Sequence, residues 1–147
     1  VLELTEREAF ADLTCAAAAV KTLRDFGFRV AIDDVGIGHS GLSQIQKLGA
    51  NILKIDKFFV DSICRDAAAV AVVDMVVRLA RELKMTVVAE GIEQHAQLAA
   101  LVACGVDEGQ GYLVSPPLPV TEFIALLGRH VPWQEADRAD RQFAGVA

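Results

Sequence analysis

Aromatic and basic residues are both scarce in this 147-residue sequence. Phe, Trp and Tyr make up 6% of it, and 14 Lys and Arg stand against 20 Asp and Glu, which gives a formal net charge of −6. A protein that binds the nucleic-acid backbone needs a basic face, so this charge balance argues against nucleic acid as a partner. The sequence also lacks an apolar run near the roughly 20 residues that a membrane-spanning helix requires. We therefore expect no membrane contact from this segment and a cytoplasmic location, with any anchor elsewhere in the parent protein.

Cysteine is scarce as well, and the three thiols, Cys15, Cys64 and Cys104, form no C-x-x-C pair. An odd number of widely spaced cysteines favours free thiols in a reducing compartment over a disulfide framework. Unpaired cysteine is commonly buried, so we expect all three to pack in the core. The histidines are too far apart in sequence to suggest a zinc site.

Strand-like and helix-like segments alternate along most of the chain, and hydrophobic residues make up 53% of it, as in a globular protein. The predicted strands are Val1–Leu4, Phe28–Ile32, Asn51–Ile55, Thr86–Ala89 and, more weakly, Gly109–Leu113. The predicted helices are Arg7–Phe26, Leu42–Leu48, Ala67–Leu83, Gln94–Ala103 and Thr121–Leu127. Residues 1–131 are predicted to belong to one domain, and residues 132–147 to form a tail or linker.

Short apolar strands separated by helices predict an α/β fold with parallel strands. Five βα units fit either an open doubly wound sheet or part of a (β/α)8 barrel, whose usual length is about 250 residues. The length favours the open sheet, whereas the positions of the polar residues favour the barrel. We predict a partial, TIM-like (β/α)8 barrel with about five of its eight βα units. The chain begins without Met and inside a strand-like segment, so we expect other strands to precede it.

Every predicted strand ends in a charged or amide residue. These residues are Glu3, Asp33, Asp34, Lys54, Glu90 and Gln110, with Glu6, Asp56 and Glu93 close after them. In parallel α/β proteins, ligands bind at the carboxyl edge of the strands. Side chains alternate along a strand, so one residue from each of four strands can point into a shared interior. The residues with the right spacing for this are Glu3, Asp33, Lys54 and Glu90.

Together with Asp34, these strand ends bring four carboxylates towards one cavity. Four carboxylates in one cavity repel one another strongly, and one lysine cannot neutralise them. Such a cluster is tolerable when it holds divalent cations, and oxygen ligands suit Mg²⁺ or Mn²⁺. Adjacent Asp33 and Asp34 can each reach a separate ion, and two ions about 3.5–4 Å apart are common in enzymes that hydrolyse phosphate esters. Each carboxylate alone could instead be a helix cap or a solvated loop residue, but the whole set favours a metal site.

A competing motif lies between the second strand and the next helix. Gly36–Gly41 reads G-x-G-x-x-G, which is most of a dinucleotide-binding fingerprint. Two aspartates directly before it would repel a pyrophosphate, and the strand is not the first of the chain. A nicotinamide- or flavin-dependent enzyme is therefore the weaker alternative. We favour a loop whose glycines let it bend beside the metal site.

Five segments together resemble the EAL family of cyclic-di-GMP phosphodiesterases. They are Leu2–Glu6, Asp33–Gly38, Leu53–Asp56, Ala89–Glu93 and Gly109–Tyr112. Their order and spacing agree with the family, and the resemblance extends to about Leu127. It implies a modified (β/α)8 barrel in which one strand runs against the rest. It also implies metal-dependent hydrolysis of a phosphodiester bond of cyclic-di-GMP to the linear dinucleotide, in bacterial second-messenger signalling.

The resemblance further implies a role for each matching residue. The implied metal ligands, for two ions of Mg²⁺ or Mn²⁺, are Glu3, Asp33, Asp34 and Glu90. Lys54, Glu90 and Gln110 are the implied catalytic residues, with Lys54 beside the attacking water or the scissile phosphate and Gln110 orienting that water. Glu6 would anchor the loop that contains Gly36 and Gly38, and Glu93 would support the site from outside the ligand set. The implied partners are cyclic-di-GMP, a second copy in a homodimer, and upstream sensor or GGDEF-type domains.

The sequence also departs from the family pattern. The Glu-Ala-Leu segment and the Asn-bearing strand that follows it are absent, and in the family both lie upstream of the segment that Val1 opens. Val35, Ile37 and His39 replace the usual Phe, Thr and Tyr of the glycine loop, and Pro116 stands where a basic residue is common. A second hypothesis is therefore a degenerate EAL domain that binds cyclic-di-GMP or a protein without hydrolysing it. We also predict that this chain alone is inactive and either dimerises or needs an upstream segment.

Overall fold

The computed structural model describes residues 1–35 and 42–128 of the chain. In that part, five strands form one sheet: β1 Leu2–Thr5, β2 Val30–Val35, β3 Ile52–Ile55, β4 Thr86–Ala89 and β5 Glu108–Gly109. The helices of the same part are α1 Glu6–Ala11, α2 Leu13–Asp25, α3 Leu42–Leu48, α4 Lys57–Ser62, α5 Ala67–Leu83, α6 His95–Cys104 and α7 Val120–Gly128.

The order of the strands distinguishes the two predicted architectures. An open doubly wound sheet reverses its strand order at a switch point, whereas barrel strands follow one another in chain order. Here each strand pairs in parallel with the next one in sequence, from β1 to β5. The predicted barrel arrangement is therefore confirmed, and the open sheet that length favoured is wrong. The antiparallel strand that the resemblance implies is not among these five.

The two faces of the sheet have different surroundings. Ile32, Leu53 and Val87 point from successive strands into the main core, which they share with residues of helices α1 to α6. The alternate positions Ala31 and Ile52, with Val88 from β4, form a separate small buried cluster on the opposite face. One face is thus the helix-covered outside of a barrel and the other its interior.

The helix predicted at Arg7–Phe26 is wrong in one respect, because it is two helices. Asp12 lies between them with a non-helical backbone, and its carboxylate accepts a hydrogen bond from the Cys15 amide at 3.0 Å. Asp caps a helix start by satisfying an amide that has no partner within the helix. The chain therefore begins a second helix at Leu13.

Helix α4 was not predicted. Asp56 caps it by accepting from the Phe58 amide at 2.7 Å. Phe59 and Val60 are buried on this helix, whereas Phe58, which we also expected to pack against the barrel, is exposed. Strand β2 runs three residues further than predicted, and β5 is only two residues long, because the chain turns at Tyr112 instead of continuing.

Two of the three cysteines contradict the expected core packing. Cys15 and Cys64 are exposed, whereas Cys104 is partly buried and packs against the main core, and all three are free thiols. None of the described helices is long and apolar enough to cross a membrane. The predicted tail at 132–147 and the glycines of the loop at 36–41 lie outside the described residues.

Candidate active site

Strand register brings the candidate residues to one edge of the barrel interior. Glu3 pairs with Ala31, and Lys54 pairs with Val88. Asp33 lies two residues after Ala31, and Glu90 two residues after Val88, so both keep the same facing as those buried interior residues. The predicted convergence of four residues from four strands is thus what the register produces.

Lys54 is the centre of this group. Its side chain is only 5% exposed, and its ammonium lies 2.8 Å from Glu3 Oε2, 3.3 Å from Asp33 Oδ1 and 2.5 Å from Glu90 Oε1. Burial alone would lower the pKa of Lys54, but the hydrogen bonds to Glu3 and Glu90 and the charges of Glu90 and Asp33 outweigh burial and raise it. Lys54 therefore stays protonated and carries one positive charge among three carboxylates.

Glu90 is held by two partners. Gln110 Nε2 donates to Glu90 Oε1 at 2.7 Å, the same oxygen that Lys54 approaches. Burial raises the pKa of Glu90, although Lys54 opposes this shift, and the charges of Asp33 and Glu3 add to it. The negative charge at this position is therefore only partly compensated by the protein.

The backbone around Gln110 fixes its position beside β4. Its amide donates to Ala89 O at 2.9 Å, and its carbonyl accepts from the Ile92 amide at 3.0 Å. The following residue, Gly111, has no room for a side chain, because a Cβ there would lie 2.2 Å from backbone atoms of Ile92. This close approach requires glycine and places the Gln110 amide against Glu90.

Asp34 makes no ion pair with Lys54 among the described residues, although the charge of Lys54 acts to lower its pKa. It has a left-handed backbone with φ of 61°, next to a register irregularity between β2 and β3. Burial raises the pKa of Asp34, and so do the charges of Asp33 and Asp56 and a hydrogen bond to Asp56. Asp34 thus forms a second carboxylate pair with Asp56, adjacent to the Lys54 group. A non-glycine residue in this backbone region is uncommon and recurs at functional sites.

The other predicted site residues either lie apart from Lys54 or fall outside the described part of the structure. Glu93 contacts Lys57, whose ammonium is 3.0 Å from Glu93 Oε1, and it makes no ion pair with Lys54. Glu6 begins α1, but its side chain lies outside the described part of the structure, as do Gly36 and Gly38. The roles predicted for Glu6 and for the loop stay predictions.

Three further residues near Glu93 were not predicted from the sequence. Lys57 and Gln97 contact Glu93 or its backbone, and Asp61 contacts both of them. Two signals were available. Lys57 and Asp61 have the i,i+4 spacing of a helical ion pair. Gln97 follows Gln94 at the spacing of a capping box, which the structure contains.

The donor atoms of this group are of the type that binds a divalent cation, but they do not surround a common point. Within residues 1–35 and 42–128, no three Asp, Glu, His or Cys side chains already surround a common point at ligand distances. The carboxylates of Glu3, Asp33 and Glu90 surround the Lys54 ammonium instead. Carboxylate and amide oxygens are the ligands that Mg²⁺ and Mn²⁺ prefer, and a single ammonium stands here among three carboxylates. The donor set fits such ions, which would compete with Lys54 for the same oxygens.

A cavity of about 630 Å³ opens beside this group. Glu90 and Gln110 line it, together with Tyr112, Pro116 and Phe123. The ring of Tyr112 is 67% exposed. The volume is in the range of small-molecule sites, which are concave and largely apolar with a few convergent polar groups.

Comparisons with known proteins identify the class that this fold and site define. The family model described as the EAL domain matches residues 1–117. The chain therefore belongs to the EAL family, and the predicted resemblance is confirmed.

Two curated relatives are similar over most of the chain. The probable cyclic di-GMP phosphodiesterase PdeB of Escherichia coli is 42% identical over 130 residues, which are 88% of this chain and 24% of that protein. The bifunctional diguanylate cyclase/cyclic di-GMP phosphodiesterase MucR of Pseudomonas aeruginosa is 35% identical over 125 residues, 85% of this chain and 18% of MucR. The chain thus spans a quarter or less of the length of either relative.

Solved EAL structures share the fold. The MucR phosphodiesterase in complex with c-di-GMP superimposes with a TM-score of 0.79 at 35% identity, covering 83% of this chain and 49% of that one. The manganese and cyclic-diGMP complex of Klebsiella pneumoniae BlrP1 gives a TM-score of 0.70 at 36% identity, covering 76% and 28%. EAL domains have a TIM-barrel fold, in agreement with the sequential parallel sheet.

Proposed function

We propose that this chain carries a large part of the active site of a metal-dependent cyclic-di-GMP phosphodiesterase, which hydrolyses one phosphodiester bond to give the linear dinucleotide. The observation that carries the proposal is the buried Lys54 ammonium in contact with Glu3, Asp33 and Glu90, with Gln110 donating to Glu90. Curated relatives named as cyclic di-GMP phosphodiesterases and a relative bound to c-di-GMP support this substrate.

The charges of the group suit phosphodiester hydrolysis. Divalent cations held by the carboxylates would lower the pKa of water and offset the charge of the phosphate. Lys54 would place a fixed positive charge beside the phosphate, where negative charge develops as the bond breaks. Gln110, whose position is set by Ala89 and Ile92, would orient water through its amide while it holds Glu90. Glu3, Asp33, Asp34 and Glu90 are the proposed ligands.

Finer parts of the proposal rest on the relatives. Structures of BlrP1 carry manganese or calcium with cyclic-diGMP, which supports a divalent cation, and we propose two ions of Mg²⁺ or Mn²⁺. MucR is named as both a diguanylate cyclase and a phosphodiesterase, which supports a GGDEF-type neighbour in the full-length protein. A homodimer, a cytoplasmic location and the roles of Glu6, Gly36, Gly38 and Glu93 complete the proposal.

Turnover by the full-length protein tests this function. We expect conversion of cyclic-di-GMP to the linear dinucleotide in Mn²⁺ or Mg²⁺, measured by chromatography, and no conversion in a chelator. Glu90→Ala removes a ligand and the partner of both Lys54 and Gln110, so kcat should fall by at least about a hundredfold. Glu122→Ala, on the exposed helix α7, is the control and should retain activity. Unchanged turnover in Glu90→Ala would remove the proposed mechanism.

A binding module is the second candidate. Val35, Ile37 and His39 stand at loop positions where the family usually has Phe, Thr and Tyr, and this departure favours binding without hydrolysis. Tight binding of cyclic-di-GMP by the full-length protein, with no linear product in Mn²⁺ or Mg²⁺, would favour this candidate over the enzyme.

A further inference from the structure

The turn after β4 connects the proposed active site to helix α6. Glu90 begins this turn, and its amide donates to Ile55 O at 3.1 Å, while the Ile92 amide donates to Gln110 O at 3.0 Å. Between them, Gly91 has a left-handed backbone with φ of 68°. The position of the Glu90 carboxylate therefore depends on the contacts that neighbouring elements make with this turn.

The stem of Lys57 lies directly on Gly91. A Cβ at Gly91 would be 2.5 Å from Lys57 Cγ and 2.6 Å from Lys57 Cδ, which leaves no space between the two residues. Lys57 is the first residue of α4, three positions after Lys54. Its aliphatic stem thus connects the end of β3 to the turn that carries Glu90.

The ammonium of Lys57 reaches across to two carboxylates. It lies 2.7 Å from Asp61 Oδ1 on its own helix and 3.0 Å from Glu93 Oε1 on the turn. The hydrogen bonds to Asp61 and then to Glu93 raise the pKa of Lys57, so it stays charged. Lys57, Asp61 and Glu93 are each about half exposed, and exposed ion pairs of this kind contribute little to stability because water screens them. The importance of these contacts is therefore geometric.

Gln97 closes the set of contacts from the buried side. It is 5% exposed, and its Oε1 accepts from the amides of Glu93 at 2.8 Å and Gln94 at 2.9 Å. Its Nε2 approaches Asp61 Oδ1 at 3.5 Å, the oxygen that also contacts Lys57. A buried amide with these partners is costly to disrupt, because the two backbone amides would lose their acceptor.

We propose that Lys57, Asp61, Glu93 and Gln97, named here the α4–α6 clamp, are positioning residues that hold the turn at 90–94 and so aim Glu90 at Lys54 and Gln110. None of the four makes an ion pair or side-chain hydrogen bond with Lys54, Glu90 or Gln110 in the contacts described above. Lys57 and Glu93 also line the cavity, so an unchanged KM is what separates a positioning role from contact with substrate. The proposal rests on the proposed function, because an aimed Glu90 matters only if it serves catalysis. Outer residues of this kind typically affect activity about 10–100-fold, since small displacements of catalytic groups are costly.

Four variants of the full-length protein test the clamp. Lys57→Ala removes both stem and charge, Lys57→Met keeps a stem over Gly91, Lys57→Arg keeps stem and charge, and Gln97→Met removes the buried acceptor. Lys21→Ala is the matched control, because Lys21 makes the same i,i+4 pair with Asp25 at 2.6 Å on α2, away from the site. The readouts are hydrogen exchange of residues 90–94 without substrate, and kcat and KM for cyclic-di-GMP.

We expect Lys57→Ala and Gln97→Met to speed exchange at 90–94 by about tenfold or more and to lower kcat by about 10–100-fold, with KM within about threefold of wild type. Lys57→Met should fall between Lys57→Ala and wild type, and Lys57→Arg and Lys21→Ala should match wild type. Unchanged exchange in both Lys57→Ala and Gln97→Met would overturn the clamp, as would faster exchange with unchanged kcat. A fall in kcat without faster exchange would also overturn it. If the wild type itself shows no turnover, the proposed function is wrong, and exchange alone then decides whether the clamp holds the turn.

Discussion

The two edges of the sheet both carry polar residues, but they use them differently. At the amino edge, Asn51 Oδ1 accepts from the Val30 amide at 3.0 Å, and Asp107 Oδ2 accepts from the Val87 amide at 2.8 Å. Arg29 connects two strands there by donating to Thr86 Oγ1 at 3.1 Å. Asn51 and Asp107 thus satisfy backbone amides, while Arg29 contacts the neutral Thr86 and, at 3.9 Å, the carboxylate of Glu108, so its charge is balanced.

At the carboxyl edge, by contrast, charge is concentrated and incompletely balanced. One ammonium, that of Lys54, contacts Glu3, Asp33 and Glu90. Burial raises the pKa of Glu90 despite that neighbour. Polar residues at strand ends are therefore not functional in themselves. Those of the amino edge complete the fold, whereas those of the carboxyl edge leave negative charge that favours cations.

Of the substitutions that test the two edges, Lys54→Met should have the largest effect, on both kcat and stability. It leaves three carboxylates around an apolar side chain, so we expect a loss of at least about a hundredfold in kcat. In a chelator the free energy of unfolding should fall by about 3 kcal/mol, because removing one partner of a buried pair leaves charge uncompensated. Turnover and urea denaturation measure the two effects. Lys47→Met, on the exposed side of α3, is the control and should change neither; a Lys54→Met protein with wild-type activity would contradict a catalytic carboxyl edge.

Asn51→Ala should affect the other edge, and by a smaller amount. The buried Val30 amide would lose its acceptor, which costs about 1–3 kcal/mol of unfolding free energy. Activity per folded molecule should stay within about twofold of wild type, since the amino edge lies at the opposite end of the strands. The comparison would fail if this variant lost activity while keeping its stability.

Glu90→Gln should produce the smallest effect, a change in the pH dependence of stability. Burial raises the pKa of Glu90 above its ordinary value of 4.5, so the folded chain keeps this proton at pH values where the unfolded chain has lost it. Stability from this source is present below about pH 4.5 and is lost as the pH rises through the folded pKa. The glutamine cannot ionise, so the unfolding free energy of the variant relative to wild type should rise with pH across that window. Urea denaturation in a chelator between pH 4 and pH 8 measures the difference, and a difference that falls with pH would contradict the assigned charge balance.

Much of the fold could be predicted from sequence because its signals are local. The βα rhythm and the facing of Glu3, Asp33 and Lys54 follow from the period of two along a strand, which the register confirms. The break between α1 and α2 was also visible in principle, because Asp12 is a good helix cap. Asp56 was considered only as a carboxylate at a strand end, so its role as the cap of α4 was missed.

Other features depend on tertiary structure and could not be predicted. The partner of Asp34 is set by its left-handed backbone and by the irregularity between β2 and β3, neither of which has a sequence signature in an aspartate. The contact between Lys57 and Gly91 depends on how closely α4 and the turn after β4 approach. The i,i+4 spacing and the capping-box spacing could each have indicated one pair of residues. Neither spacing shows that Asp61 contacts both Lys57 and Gln97.

Binding of Mn²⁺ without substrate is the most direct test of the account, because it asks whether the carboxyl edge holds cations at all. The measurement is an Mn²⁺ titration followed by electron paramagnetic resonance, on the full-length protein and two glutamate variants. Glu90→Gln changes the carboxyl edge, and Glu108→Gln changes the amino edge, where Glu108 lies 3.9 Å from Arg29. We predict that wild type and Glu108→Gln bind Mn²⁺ alike and that Glu90→Gln binds at least about tenfold more weakly. Equal binding by all three proteins would contradict a cation site built on Glu90.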